Sequence, residues 1–190
     1  MQVDTIYLDF AKAFDRVDHH LLLKKLHLFG INDSLLCWFS DYLNNRFQQV
    51  TVLGKTSNLL PVISGVPQGS ILGPLMFPIY VNDLATVSVN SSIALFADDT
   101  SCYRPVMNID DGRLLQEDLD RITLWCQDWG MDLNQSKCTV MSITRNVSPV
   151  ISSYIITPKY TSSAYRCSKR SWDLSVQGLE MELSCASSCF

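Results

Sequence analysis

Three aspartates stand where carboxylates could do chemistry together. Asp9 lies near the end of the run VDTIYLDF, and Asp98-Asp99 sit between two strand-like runs, Ser92–Ala97 and Thr100–Arg104. Asp is a common turn residue, and an acidic pair at a hairpin tip often does no more than solvate it. Here Phe96-Ala97 run straight into the pair, with no Gly or Asn to relax the turn. Adjacent like charges so placed repel one another unless a cation neutralises them. Carboxylate oxygens suit Mg²⁺, a hard ion that takes one or two carboxylates plus substrate phosphates, with Mn²⁺ as the alternative. Asp9 comes beside Asp98 if their strands are neighbours in one sheet. Such a cluster could hold two ions about 3.5–4 Å apart, the arrangement that steadies attacking and leaving oxygens in phosphoryl transfer.

The elements that must position these carboxylates can be read from periodicity. Val3–Phe10 reads as a strand, with Ile6 and Leu8 on one face and Tyr7 and Asp9 on the other. Asp18 is placed to cap a helix carrying Leu21, Leu22, Leu26 and Phe29, which Gly30 ends. Asp33 or Ser34 opens a second helix with Leu35, Trp38, Phe39 and Tyr42 on one stripe. Phe47–Leu53 and Leu59–Ser64 read as a hairpin turning through Gly54-Lys55-Thr56. The Gly65–Gly69 turn leads into a helix over roughly 71–86, and a second hairpin turns at Asp98-Asp99. Asp110 or Asp111 opens a long helix with Leu115, Leu119, Ile122, Cys126 and Trp129 on one stripe; Cys138–Ile143 is a further strand. Hairpin strands with helices on one face predict an α+β two-layer domain.

Composition sets the outer bounds. The 190 residues carry 15 Lys+Arg against 19 Asp+Glu, a formal charge of −4, with 47% hydrophobic residues. A sizeable core is therefore expected, and an acidic balance argues against a domain that grips nucleic acid by a basic surface. Ile71–Val81 is about half the length of a membrane-spanning helix and is interrupted by Gly73, Pro74 and Pro78. Neither a secretory signal nor a localisation signal is visible. Seven cysteines without a CxxC pair suggest a reduced, intracellular chain rather than a disulfide framework or a zinc site. Serines number 11 before residue 146 and another 11 after it, and periodicity fades beyond Ile156. Residues 1–156 are expected as the folded domain, and 157–190 as a Ser/Cys-containing tail of poorly ordered or unrelated sequence.

Four segments together resemble the reverse transcriptases. YLDFAKAFD (7–15) resembles polymerase motif A, SGVPQGSILGP (64–74) motif B, FADD (96–99) motif C and GMDLNQSK (130–137) motif D. RVDHHLLLKKL (16–26) further resembles the non-LTR, LINE-type, jockey-like branch. The resemblance implies a polymerase palm over about residues 3–156, acting as an RNA-directed DNA polymerase on an RNA template, a DNA primer and dNTPs. Asp9, Asp98 and Asp99 would hold the two Mg²⁺ ions. Lys137 would be a proton donor to pyrophosphate, although a lysine before a strand is more often a surface charge. Phe14 would be the aromatic gate against a ribose 2′-hydroxyl, or simply a core Phe. Pro67, Gln68 and Gly69 in motif B, with Phe10 in motif A, would contact the substrate. Asp15 is expected to be structural, His19-His20 to cap and solvate a helix, and Trp38, Trp125 and Trp129 to be core residues.

The resemblance also implies what is missing: basic fingers, most of the thumb and the endonuclease found in larger relatives. Val150–Ile156 is what remains to represent the primer-gripping segment. Stripped of basic parts, the acidic palm is expected to have little polymerase activity alone. Family precedent implies work in the nucleus. Two other readings share some of these features. A non-catalytic retroelement remnant, binding nucleic acid or a protein partner at most, would keep every motif. A carboxylate–Mg²⁺ nucleotidyl cyclase would have no use for the template-contacting PQG turn.

Overall fold

The computed structural model describes residues 1–156 and 165–173. In chain order the elements are β1 (Gln2–Asp9), α1 (His19–Leu28), α2 (Asp33–Leu43) and four two-residue strands, β2 (Phe47–Gln48), β3 (Thr51–Val52), β4 (Lys55–Thr56) and β5 (Leu60–Pro61). Then come α3 (Gly73–Val81), β6 (Ser92–Phe96), β7 (Asp99–Val106), α4 (Ile109–Asp128) and β8 (Thr139–Thr144). The last described pieces are β9 (Ile155–Ile156), β10 (Tyr165–Arg166) and β11 (Ser168–Asp173).

A five-stranded sheet in the order β11-β8-β1-β7-β6 organises the molecule. Strand β1 lies at its centre and pairs antiparallel with both β7 and β8, while β11 adds a parallel edge beside β8. The expected α+β two-layer palm is present, with a mixed rather than purely antiparallel sheet. Alternation along β1 explains the layering: Ile6 and Leu8 point into the core, and Tyr7 is left exposed on the other face. One core cluster joins Ile6, Leu8, Cys102 and Val140 of the sheet to Leu22 and Leu26 of α1, Phe77 and Tyr80 of α3, and Leu115, Leu119 and Ile122 of α4. Each such aliphatic side chain, fully buried, contributes about 1.5–3 kcal/mol.

Local chemistry sets the element ends. The Asp18 carboxylate accepts the Leu21 N–H at 2.9 Å and starts α1 as expected. Helix α4 begins earlier than the acidic pair suggests, because Asn108 is its cap. The Asn108 side chain accepts from the Asp110 and Asp111 amides, and Asp111 returns a bond to the Asn108 amide, closing a capping box. Pro74 sits in the first turn of α3, and the expected helix to residue 86 tightens into a 3₁₀ turn over Asn82–Thr86.

The first hairpin departs most from expectation. Only Phe47–Gln48 pair with Leu60–Pro61, and Thr51–Val52 with Lys55–Thr56. The tip turns at Leu53-Gly54, both with positive φ, and Pro61 cannot donate to a longer ladder. Trp38 is not a core residue: it is 49% exposed and stacks on Tyr42 with ring centroids 5.3 Å apart. No described helix is long and apolar enough to cross a membrane.

Val150–Ile156 does not lie near the aspartates. Gln2 clamps it by accepting from and donating to the Val150 main chain, and Gln116 of α4 does the same to Ile155. Gln2 is at the opposite end of β1 from Asp9, and Tyr154 donates to Asp4, so this strap is anchored toward the end of the sheet away from Asp9. Of the expected tail, residues 157–164 and 174–190 lie outside the described residues, while Ser168–Asp173 form the sheet edge.

Candidate active site

Strand register brings the first and third motifs together. Asp9 ends β1 directly opposite Asp99, the first residue of β7, and Asp99 in turn pairs with Phe96 at the end of β6. The β6–β7 turn is Ala97-Asp98, so the acidic pair divides: Asp98 is in the turn and Asp99 in the strand. Ala97 holds φ +53. A residue with a Cβ in that conformation costs about 1–2 kcal/mol, so neighbouring pairing must hold the turn in shape.

Asp9 and Asp99, but not Asp98, line an open cleft of about 390 Å³ on the outer face of the sheet, together with Lys137, Tyr7, Phe96 and Ser101 among others. Lys137 Nζ lies 3.7 Å from Asp9 Oδ2, a partly solvated ion pair worth at most about 1 kcal/mol. The loop after α4 carries Lys137 there. Its Asn134 amide donates to the Asp9 carbonyl at 2.7 Å, its Asp132 carbonyl accepts from Ala11 at 2.8 Å, and Leu133 bridges to Phe10. Arg16 pairs with Asp132. The segments 9–11 and 132–134 thus run side by side, which fixes the main chain at both ends of the Asp9–Lys137 pair.

The motif B turn is built against the segment that follows Asp9. The Gly65 amide donates to the Val17 carbonyl at 2.8 Å and the Val66 amide to the Phe14 carbonyl at 2.9 Å. Ser64 Oγ donates to the Asp15 carbonyl, and Gln68 Nε2 to the Asp15 carboxylate at 2.8 Å. Gly65 has φ +87, and a Cβ there would stand 2.9 Å from the Asp15 backbone. The site needs glycine on both counts. Phe14 is half-buried and packs on Phe77, ring centroids 4.5 Å apart. Phe10 is 5% exposed, so its side chain is a core group. Pro67 is half-buried, while Gln68 and Gly69 are exposed. No hydrogen bond or ion pair among the described residues joins this turn to the three carboxylates.

Several residues that hold the site were not marked by sequence reasoning. His19 is buried rather than solvated, with Nε2 2.9 Å from the Gly65 carbonyl, which also accepts from Arg46. Its signal was its place on the apolar stripe His19–Leu22–Leu26. Lys25 is 4% exposed and donates to the Tyr80 carbonyl and the Asp83 carboxylate, with the Trp129 ring 3.5 Å from Nζ. Burial pulls its pKa below the ordinary lysine value, and Asp83 opposes that shift. This buried cation ties α1 to the end of α4, the root of the Lys137 loop.

The carboxylates fit a hard cation by chemistry: all are oxygen donors at one end of the sheet, and among the described residues nothing else engages Asp98 or Asp99. They do not form a closed ligand set. Among the described residues no three His, Cys, Asp or Glu side chains converge to hold a metal.

Comparison with known proteins gives the chain its place. The sequence profile for reverse transcriptase (RNA-dependent DNA polymerase) matches residues 5–175. The RNA-directed DNA polymerase from mobile element jockey of Drosophila melanogaster is 35% identical over 143 residues, covering 70% of this chain and 15% of that protein. The probable RNA-directed DNA polymerase from transposon X-element, also of Drosophila melanogaster, is 31% identical over 176 residues, covering 85% of this chain and 19% of that protein. The chain therefore spans less than a fifth of either relative. A telomerase structure from Candida tropicalis, in complex with a fragment of telomeric RNA, superposes with a TM-score of 0.59 at 12% identity. That match covers 78% of this chain and 28% of the telomerase, and it shows a shared fold. Reverse transcriptases as a family use divalent metal ions and RNA templates. With motifs A to D, the central antiparallel strands and the jockey-like relatives in agreement, this chain is a member of the reverse transcriptase family, in its non-LTR, LINE-type branch.

Proposed function

We propose that this chain forms the catalytic palm of an RNA-directed DNA polymerase, adding dNTPs to a DNA primer on an RNA template. The observation that carries the reading is the Asp9–Asp99 register pair at the mouth of the cleft, with Lys137 on Asp9. Asp9, Asp98 and Asp99 would hold two Mg²⁺ ions, completed by substrate phosphates as that ion prefers. When bound, these ions would lower the cost of charge building on the attacking and leaving oxygens. Lys137, held beside Asp9, would give a proton to departing pyrophosphate. Phe14, braced on Phe77, would be the gate against a ribose 2′-hydroxyl, and Pro67, Gln68 and Gly69 would contact the incoming nucleotide. The chain alone is expected to be weak, and the test uses both it and a relative. Residues 5–156 replace the matching segment of the jockey polymerase, and primer extension is measured with Mg²⁺. Incorporation that Asp98→Asn abolishes supports the reading. A well-folded chimaera without incorporation, or one indifferent to Asp98→Asn, refutes it.

A further inference from the structure

Asp15 lies six residues beyond the first metal-type carboxylate, exposed and outside the cleft, yet its main chain is held on several sides. Its amide donates to the Lys12 carbonyl at 3.0 Å, and its carbonyl accepts from Ser64 Oγ at 2.9 Å. The Cβ-free face of Gly65 lies against it. The next amide along the turn, Val66, is held by Phe14, the residue before Asp15. The side chain contributes to none of this packing. Among the described residues its one hydrogen bond is to Gln68 Nε2, at 2.8 Å.

That single bond carries directional information. An ionised carboxylate only accepts, so the Gln68 amide must turn its nitrogen toward Asp15. The assignment of nitrogen and oxygen follows from the partner, whatever the ambiguity of amide groups elsewhere. With one Nε2 hydrogen held by Asp15, Oε1 is turned away from that carboxylate and is left to accept from whatever sits over the turn.

We propose that Asp15 is a positioning residue that fixes the Gln68 carboxamide with its oxygen outward, so that the turn recognises a hydroxyl or N–H donor of the incoming nucleotide. The inference rests on the nucleotide-binding reading above and adds to it a residue that itself touches no substrate. A neutral or apolar residue at 15 would leave Gln68 free to present either end. Half the orientations would then meet a donor with a donor.

The orientation and its use are tested separately. In the full 190-residue chain, the side-chain amide signal of ¹⁵N-labelled Gln68 is followed by NMR in wild type and Asp15→Ala. The expected result is a signal displaced from that of free glutamine, returning toward it in Asp15→Ala while backbone signals of β1 and α1 stay in place. An unmoved Gln68 amide overturns the orientation. Affinity for dTTP, with Mg²⁺ and an RNA–DNA primer-template, is then measured by equilibrium dialysis. Asp15→Ala should weaken it about fivefold to tenfold, the scale of one lost orienting bond. Gln68→Glu, facing carboxylate with carboxylate, should weaken it at least as much. The double variant Asp15→Asn/Gln68→Glu should recover most of the loss, because an amide N–H again meets an acceptor and an oxygen again points outward. Unchanged affinity in Asp15→Ala, or no recovery in the double variant, overturns the recognition role. If wild type itself binds no dTTP, the nucleotide-binding reading fails and the recognition role with it, while the amide signal still decides the orientation.

Discussion

His19 Nε2 lies 2.9 Å from the Gly65 carbonyl, joining the first residue of α1 to the start of the motif B turn. A carbonyl only accepts, so Nε2 must carry the proton in this contact. Both groups are buried, and Arg46 supplies the second donor to the same oxygen. His19→Phe should therefore cost about 1–3 kcal/mol in urea unfolding, the penalty of an acceptor left under-satisfied. His19→Gln, which keeps an N–H, should cost less. Equal losses in the two variants would show that ring packing, not the hydrogen bond, holds the turn.

Glycine matters unequally along the chain. Gly65→Ala must push its new Cβ into the Asp15 backbone at 2.9 Å and hold φ +87, whereas Gly54→Ala, at φ +76, meets nothing within 4 Å. Gly54→Ala should lose about 1 kcal/mol, the cost of the left-handed conformation alone. Gly65→Ala should lose clearly more. Thermal denaturation of the two variants side by side measures the difference.

Lys25 gives the fold an alkaline signature. Its folded pKa lies below the unfolded value near 10.5, chiefly through burial. Between those two values the unfolded chain holds a proton the folded chain has shed, so stability from this group rises with pH across that window. Below the folded value the full penalty of the buried cation is present. Lys25→Met should flatten this rise in urea midpoints measured from pH 8 to pH 10.5. A rise of undiminished slope would place its cause elsewhere.

Thiol reactivity should divide sharply among the described cysteines. Cys37 is exposed, while Cys102, Cys126, Cys138 and Cys167 are buried. Burial pushes Cys102 up to about 12 and Cys167 up to about 11, and raises Cys126 and Cys138 as well. Iodoacetamide at pH 8 should label Cys37 in the folded chain and reach the other four only on unfolding. Peptide mass spectrometry with and without urea reads the pattern directly.

The elements that carry the aspartates were legible because their signals are local. Strand β1 alternates over Ile6–Asp9, Asp18 caps α1 with its own side chain, and Asp98-Asp99 fall at a break between two apolar runs. What escaped reading depends on partners distant in sequence. His19 reads as a solvated capping residue and Lys25 gives no signal of its own until α1 is laid against Gly65, Tyr80 and Asp83, residues 46 to 58 positions away. The α4 cap was missed by two residues because Asn108 and Asp111 act as a reciprocal pair, so the acid is the helix's third residue rather than its opener. Trp38 and Leu35 form the open edge of a helical stripe whose Phe39 and Tyr42 pack partly on the core, so periodicity alone overstated the burial of Trp38. The Asp15–Gln68 bond crosses 53 residues and has no periodic trace at all.

The central place of β1 also sets an order of events during synthesis. Ile6 has no neighbours in the sheet until Cys102 and Val140 have been made, because those are its partners on either side. At about 5–20 residues per second, the first strand leaves the ribosome on the order of ten seconds before its second neighbour exists. Until Cys102 is made the strand has two open edges, and until Val140 is made it keeps one, a form prone to pair with another copy. Helices α1 to α3 and the motif B turn can assemble locally before β7 exists; Asp9 and Asp99 can meet only once β7 has been made. A transcript cut short before codon 144 would encode the polymerase motifs and still leave β1 without a completed sheet.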